Sequence, residues 1–262
     1  MSDSPWWASR FAALAAIDPD LAGALDRQAE AQVDLLERLL ELRPGDPLLD
    51  VGCGGGRHSI LLQERGLAVT GVDLAPELLE LAQRRWAARH PGHDGPQWVQ
   101  CDMRDLSPQG PFAAAILLDR TLGVFDDDAD HLRTLSNIAD RLRGGGRLVL
   151  ELFNPYYWAH RNVTRHFPPG SLAASADLVR TYRFDALRGR VEDRTLVFEA
   201  GRRREFPTQS LRAWTAPEII TLTNAAGFTR VEVFGSDGWQ VPAAALRLDA
   251  HSSAFMWVVA TL

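Results

Sequence analysis

From Asp20 to Arg43 apolar residues recur at helical spacing (Leu21, Leu25, Val33, Leu36, Leu39, Leu40), and Pro44-Gly45 closes the segment. That pattern predicts one or two amphipathic helices. The texture then changes to short apolar runs separated by longer mixed ones. Pro47–Val51, Ala68–Val72, Gln97–Cys101, Phe112–Leu118 and Arg147–Phe153 have the length and composition of buried strands. Between them, Arg57–Arg65, Pro76–Arg89 and Asp127–Arg143 carry helical patterns. The second has Pro in its first turn, and the third has acids at its start and Arg at its end, matching the helix dipole. Gly144-Gly145-Gly146 is expected to break the third helix ahead of the fifth strand.

Strand alternating with helix predicts a Rossmann-like doubly wound α/β sheet, mostly parallel. After Asn154 the alternation stops. Pro155–Gly170 is rich in aromatics and proline, and Leu178–Phe184, Arg190–Phe198 and Glu205–Ala213 look extended, with turns at 187–189 and 199–201. These segments predict a small antiparallel lid inserted into the main domain. Ala216–Ala226 resumes as helix, and Phe228–Phe234 and Ala254–Thr261 return to the sheet, the last strand antiparallel. The expected organisation is an N-terminal helical cap (1–45), a cofactor-binding core (46–154 and 216–262) and a lid (155–215).

Charge and composition narrow the chemistry. The chain has 262 residues, 34 acids and 28 bases, and every one of the bases is Arg. Without Lys there is no Schiff base to pyridoxal phosphate, no P-loop Lys, no kinase Lys and no Tyr/Lys pair of a short-chain dehydrogenase. Arg cannot substitute, because it stays protonated and is a poor nucleophile. A net charge of −6 argues against broad nucleic-acid binding, and Arg202–Arg204 reads as a solvated turn. Phe11–Ile17 is far too short to span a membrane, and no signal peptide is read before it. Cys53 and Cys101 form no disulfide framework, and no metal ligand set is read. A cytoplasmic protein is expected.

The chemistry concentrates at Gly52-Cys53-Gly54-Gly55-Gly56, a glycine-rich turn between strand and helix. Glycines let a ligand approach the backbone, and the helix N-terminus offers unpaired N–H groups. Asp73 ends the next strand, 21 positions after Gly52, where it would meet the hydroxyls of a nucleoside ribose. Asp102 follows the third strand and is placed to accept from an adenine amino group. Two acids at successive strand ends plus the loop describe an adenosine site; the competing reading is that both acids merely cap helices. The dinucleotide fingerprint needs a small third residue, and Arg57 stands there instead. Asp50, just ahead of the loop, would oppose a pyrophosphate and suits an ammonium or a sulfonium.

Leu49–His58 resembles the first motif of class I S-adenosylmethionine-dependent methyltransferases. Val69–Leu74 resembles the second, Gln100–Met103 the third, and Leu142–Leu148 the turn before strand five, with Gly144 where proline is usual. Phe112–Leu118 running into Gly123–Asp127 is similar to the fourth-strand segment of a bacterial small-molecule branch. The resemblance implies S-adenosyl-L-methionine as cofactor and S-adenosyl-L-homocysteine as product. It implies that Gly52, Cys53 and Gly54 pass close to the methionine part and that Asp50 holds its ammonium, with the Leu118 carbonyl also offered to it. Asp73 would bind the ribose, Leu74 would pack on the adenine, and Asp102 with the Met103 backbone would read its edge. Arg57 would either reach the methionine carboxylate or be a helix-surface charge. In relatives the polar residue stands at position 117 rather than 119. Here the order is Leu117-Leu118-Asp119-Arg120, so the resemblance carries no acceptor contacts.

The expected activity is methyl transfer to oxygen, nitrogen or carbon of a small-molecule acceptor. The alternatives are a nicotinamide-dependent oxidoreductase and a protein of this fold that binds or uses the cofactor without transferring methyl. A base is needed only when the acceptor must lose a proton. The candidates are Asp119, Tyr157, His160 and His166, each with a bland alternative: lid packing for Tyr156-Tyr157-Trp158, surface positions for the histidines, an Asp119–Arg120 ion pair. Trp6, Trp7 and Phe11 read as a hydrophobic anchor rather than a cavity wall, and Asp237-Gly238-Trp239 as a rim element.

Overall fold

The computed structural model describes residue 7 and residues 21–168, 177–199, 201–236, 240–242 and 246–262, with side chains from residue 28 in the first helix. Helix α1 (Leu21–Leu40) precedes strand β1 (Pro47–Val51), α2 (Arg57–Glu64), β2 (Ala68–Asp73), α3 (Pro76–Arg89), β3 (Gln97–Gln100) and β4 (Phe112–Leu117). Helix α4 (Asp128–Ala139), β5 (Leu142–Phe153) and the short α5 (Pro155–Trp158) follow. Five strands come next: β6 (Val163–Phe167), β7 (Asp177–Asp185), β8 (Arg190–Glu199), β9 (Arg202–Glu205) and β10 (Gln209–Arg212). Helix α6 (Ala216–Ala225), β11 (Arg230–Gly235) and β12 (Phe255–Thr261) end the chain.

Seven strands form one sheet in the order β11-β12-β5-β4-β1-β2-β3. β1 through β5 pair in parallel, and β12 runs antiparallel to both β5 and β11. The expected Rossmann-like sheet is therefore present, with its antiparallel last strand. Successive side chains of a strand point to opposite faces, and that alternation divides the core. Ala114 and Ile116 of β4 pack with Val33, Leu36 and Leu40 of α1; Ala115 and Leu117 pack with Leu135 and Ile138 of α4. α6 opens with a full capping box between Thr215 and Glu218, a feature worth about 1 kcal/mol.

The segment after β5 forms a second sheet, β10-β8-β7-β6, with β9 pairing β8. It has more strands than the sequence pattern indicated. Val163–Phe167 lies in the stretch read as aromatic and proline-rich, yet it pairs antiparallel with β7 from Val163↔Tyr182 to Phe167↔Leu178. Two boundaries also differ. α4 stops at Ala139, because Asp140 and Arg141 turn and Leu142 already pairs with Phe112. The glycine triplet lies inside β5 rather than before it, at a register shift where Phe112 pairs Leu142 but Ala114 pairs Arg147. The two sheets share a third cluster: Phe125, Phe153, Trp158 and Phe255 pack with Tyr182, Val191 and Leu211. Arg190 clamps them, only 3% exposed, donating to the carbonyls of Phe125 (2.8 Å), Gly123 (3.2 Å) and Ser210 (2.6 Å).

Candidate functional site

Strand order reverses between β4 and β1, and ligands of open α/β sheets bind at the carboxyl ends of the strands beside such a switch point. The loops after these two strands touch there, for a Cβ added to Gly52 would meet Thr121 Cγ2 at 2.7 Å. A cavity of about 340 Å³ opens at this place, large enough for a ligand of nucleoside size. Asp50, Gly52, Cys53, Gly54, Arg57, Asp73, Leu74, Asp102, Met103 and Leu118 all line it, and so does Asp119. Residues spread over some seventy positions of sequence converge because each lies at or just beyond the carboxyl end of a strand of the same parallel sheet.

The glycine loop and Asp73 form one unit. Asp73 Oδ2 accepts from the Gly54 N–H at 2.8 Å, and Oδ1 accepts from the Ala75 N–H at 2.9 Å. Burial raises the Asp73 pKa against these hydrogen bonds. The carboxylate is thus fixed at the cavity edge with lone pairs remaining for hydroxyl donors. Gly54 has φ +54°, and no atom lies within 4 Å of where its Cβ would be. The loop presents bare backbone to the cavity at that point, as close ligand approach requires.

Asp50, 3% exposed, accepts from Ser59 Oγ at 2.6 Å. Burial lifts its pKa from 3.8 to about 7, with Asp73 and Asp119 adding and Ser59 and Arg57 opposing. Among the described residues its hydrogen-bond partner is the neutral Ser59 hydroxyl, which leaves its charge open to a cation from outside. Arg57 supplies the complement. Its side chain is 12% exposed, so it is no surface charge, and its Nη2 pairs with Asp119. Its Nη1 is buried with no hydrogen-bond partner among the described residues. An unsatisfied buried donor is costly. Beside Asp50, this one fits the carboxylate of an amino acid whose ammonium meets Asp50.

Asp102 has protein partners. It caps the short 3₁₀ turn Met103–Asp105 through the Arg104 N–H and holds the Arg104 guanidinium at 2.7 Å. Burial would raise its pKa, but the Arg104 hydrogen bonds outweigh it and the net shift is downward. Arg104 in turn lies over Phe125 at 4.7 Å and Trp7 at 5.8 Å, and Trp7 meets Phe125 edge-on at 5.8 Å. Trp7 lines the cavity, so the residue read as an anchor is also a wall. Trp6, Phe11 and Asp237–Trp239 lie outside the described residues. Leu118 directs its carbonyl to the Thr121 N–H at 3.1 Å, which leaves one lone pair. Burial pushes the Cys53 thiol pKa well up, so it is inert packing beneath the loop.

Asp119 pairs chiefly with Arg57; Arg120 stands further off, at 3.7 Å. Burial alone would raise its pKa, but the Arg57 and Arg120 charges hold it far below the usual range. The other acid–base candidates lie elsewhere. Tyr157 is buried in the aromatic cluster with Trp158, under the Arg161 guanidinium at 4.1 Å. His160 is exposed, and His166 pairs with Asp177 at 3.0 Å on the outer strand β6. None of the three lines the cavity: Tyr157 turns into the junction between the sheets, and the two histidines are exposed. The sequence pattern had not pointed to Thr121, Arg85, Arg180 or Gln209. Arg85 donates to the Gly55 carbonyl at 2.9 Å, and the last two reach the cavity from the second sheet. Only strand pairing brings them there, so no local spacing could mark them.

The methyltransferase-domain family matches residues 48–146. Malonyl-[acyl-carrier protein] O-methyltransferase of Serratia marcescens is 49% identical over 72 residues, 26% of this chain and 28% of its own. Human glycine N-methyltransferase is 36% identical over 157 residues, 55% of this chain and 52% of its own. The chain thus spans about half the length of these curated relatives or less. Solved structures match along most of it. The CcbJ methyltransferase from Streptomyces caelestis superposes with TM-score 0.73 at 22% identity, covering 90% of this chain and 88% of that one. CalS10, an amino pentose methyltransferase from Micromonospora echinaspora with S-adenosylmethionine bound, gives 0.63 at 25% identity, covering 92% and 95%. Residues 48–146 thus match a methyltransferase domain, and the fold around them resembles that of S-adenosylmethionine-dependent methyltransferases. S-adenosylmethionine is the cofactor of those methyltransferases, and Asp50 together with the unpartnered Arg57 Nη1 fits its amino-acid end.

Proposed function

We propose that the chain transfers a methyl group from S-adenosylmethionine to a small-molecule acceptor. The observation that carries this is the juxtaposition of a buried acid poised near neutrality and a buried guanidinium N–H lacking a partner, both lining one cavity beside the glycine loop. The bound cofactor would supply a methyl on a positively charged sulfur, with a neutral thioether as leaving group. The protein aligns and shields. Asp73 takes the ribose hydroxyls, Asp50 the ammonium, Arg57 the carboxylate, and Leu74 packs on the adenine. Asp102, already turned toward Arg104, and the Met103 backbone border the same end.

Asp119 orients the acceptor rather than abstracting its proton. A carboxylate held ionised by two guanidinium groups is a weak base at neutral pH. In the domain reading, residues 46–154 supply nearly all of the cavity lining, residues 216–262 complete their sheet, and the 155–215 insertion reaches the cavity through Arg180 and Gln209. The relatives named for glycine, malonyl-carrier and amino-sugar methylation support a small acceptor.

The test is incubation with S-adenosylmethionine and fractionated small-molecule extracts, following S-adenosylhomocysteine by mass spectrometry. The expected result is product formation with at least one fraction and none with Asp73→Ala. Cofactor binding without product in any fraction would favour the non-catalytic alternative. Binding of NAD in place of S-adenosylhomocysteine would favour the oxidoreductase.

A further inference from the structure

Beyond the loops after β1, β2 and β3, the cavity is lined by Leu118–Thr121, Val124, Phe125, and Arg180 and Gln209 of the second sheet. Two consecutive residues there, Asp119 (φ +55°) and Arg120 (φ +63°), hold a left-handed backbone that side chains disfavour. Glu151, 1% exposed, keeps them so: its Oε2 accepts from the Asp119 N–H at 2.9 Å and its carbonyl from the Arg120 N–H at 3.0 Å. The corner places a guanidinium against the cavity. Arg120 lies over the faces of Phe153 (5.3 Å) and Phe255 (5.2 Å), which fix its plane.

That guanidinium is under-used. Its Nε is buried with no hydrogen-bond partner among the described residues. Its Nη1 stands 3.6 Å from Glu151 and 3.7 Å from Asp119, beyond hydrogen-bond length. A further cavity cation, Arg180, turns Nε and Nη2 to Asp193 and lies over Tyr182 at 5.3 Å. Two oriented guanidinium groups, one with a desolvated donor left over, call for a planar acceptor of hydrogen bonds. A phosphate would bring a second negative charge against Asp119, Glu151 and Asp193; a carboxylate brings one.

We infer that the methyl acceptor carries a carboxylate, received by Arg120 with Arg180 at the end of the cavity away from the adenosine site. This rests on the methyltransferase reading. The test uses calorimetric titration of the protein loaded with S-adenosylhomocysteine. The probes are benzoate, phenylacetate and succinate, each against its own amide, with phenyl phosphate as a further arm. At least one carboxylate is expected to bind about tenfold or more tightly than its amide and than the phosphate. Arg120→Gln and Arg180→Gln should each remove that preference while S-adenosylhomocysteine still binds. Arg120→Lys should restore part of it, since charge survives without the fork. No carboxylate preference, or a preference unchanged in both Gln variants, overturns the inference, and a preference for the phosphate does so equally. Should Arg120→Gln fail to fold, Arg180→Gln decides. Failure of the unaltered protein to bind S-adenosylhomocysteine would instead overturn the methyltransferase reading itself.

Discussion

Asp50 makes cofactor binding depend on pH in a direction that can be worked out. Its carboxyl is buried, and its pKa lies near 7 rather than 3.8. The ionised form receives the ammonium, so below pH 7 a proton must leave as the ligand enters. At about pH 6 only about one molecule in ten carries the charge, and at about pH 8 about nine in ten do. The affinity for S-adenosylhomocysteine should therefore rise nearly tenfold between these limits, about 1.4 kcal/mol. His58, also in the cavity, cannot imitate the effect: burial and Arg57 lower its pKa to about 3, and it stays neutral throughout. The assay is calorimetric titration across that range in two buffers of different ionisation enthalpy, which counts protons. About one proton should be released at the acid end and almost none at the alkaline end. Asp50→Asn should bind more weakly, with a flat profile. A flat profile in the unaltered protein, or an unchanged slope in Asp50→Asn, would refute the assignment. In the ligand-free protein the sign is opposite. The folded carboxyl keeps a proton that the unfolded one releases, so Asp50 makes stability fall as pH rises from about 4 to about 7 and is without further effect above.

Two further predictions concern the scaffold. Gly56 has φ +77°, and a Cβ there would meet Ala82 Cβ and Trp98 Cη2, each at 2.7 Å; Gly56→Ala should cost about 2–4 kcal/mol, read as a lower melting temperature. An unchanged melting temperature would show that the loop relaxes freely. Arg190→Met leaves the carbonyls of Gly123, Phe125 and Ser210 without their donor, and should cost about 3 kcal/mol and expose the second sheet to limited proteolysis. Proteolysis confined to other segments would show that Arg190 does not join the sheets.

The alternating core was legible because a parallel sheet needs apolar strands, and Pro47–Val51 and Pro76–Arg89 have the bounds their residues imply. That Asp73 would stand beside the glycine loop was legible because a strand end and the preceding loop are neighbours by topology, but its hydrogen bond to the Gly54 N–H was not. Arg57 was ambiguous, since helix position alone does not reveal that Nη1 is buried. Strand β6 was hidden because its burial hardly alternates: Thr164, Arg165 and His166 are all exposed. Arg180 and Gln209 were invisible for a different reason. Their place in the cavity depends on how the second sheet docks through Arg190, Phe125 and Tyr182, contacts separated by tens of residues.

The central claim is that this cavity is built for the adenosylated amino acid and is organised by Asp73. Titrating the purified protein with S-adenosylhomocysteine, in parallel with Asp73→Ala and with NAD, tests it most directly. Saturable binding at one site, weakened about tenfold or more in Asp73→Ala, with no binding of NAD, is the predicted result. Absence of binding, or affinity indifferent to Asp73→Ala, would contradict it.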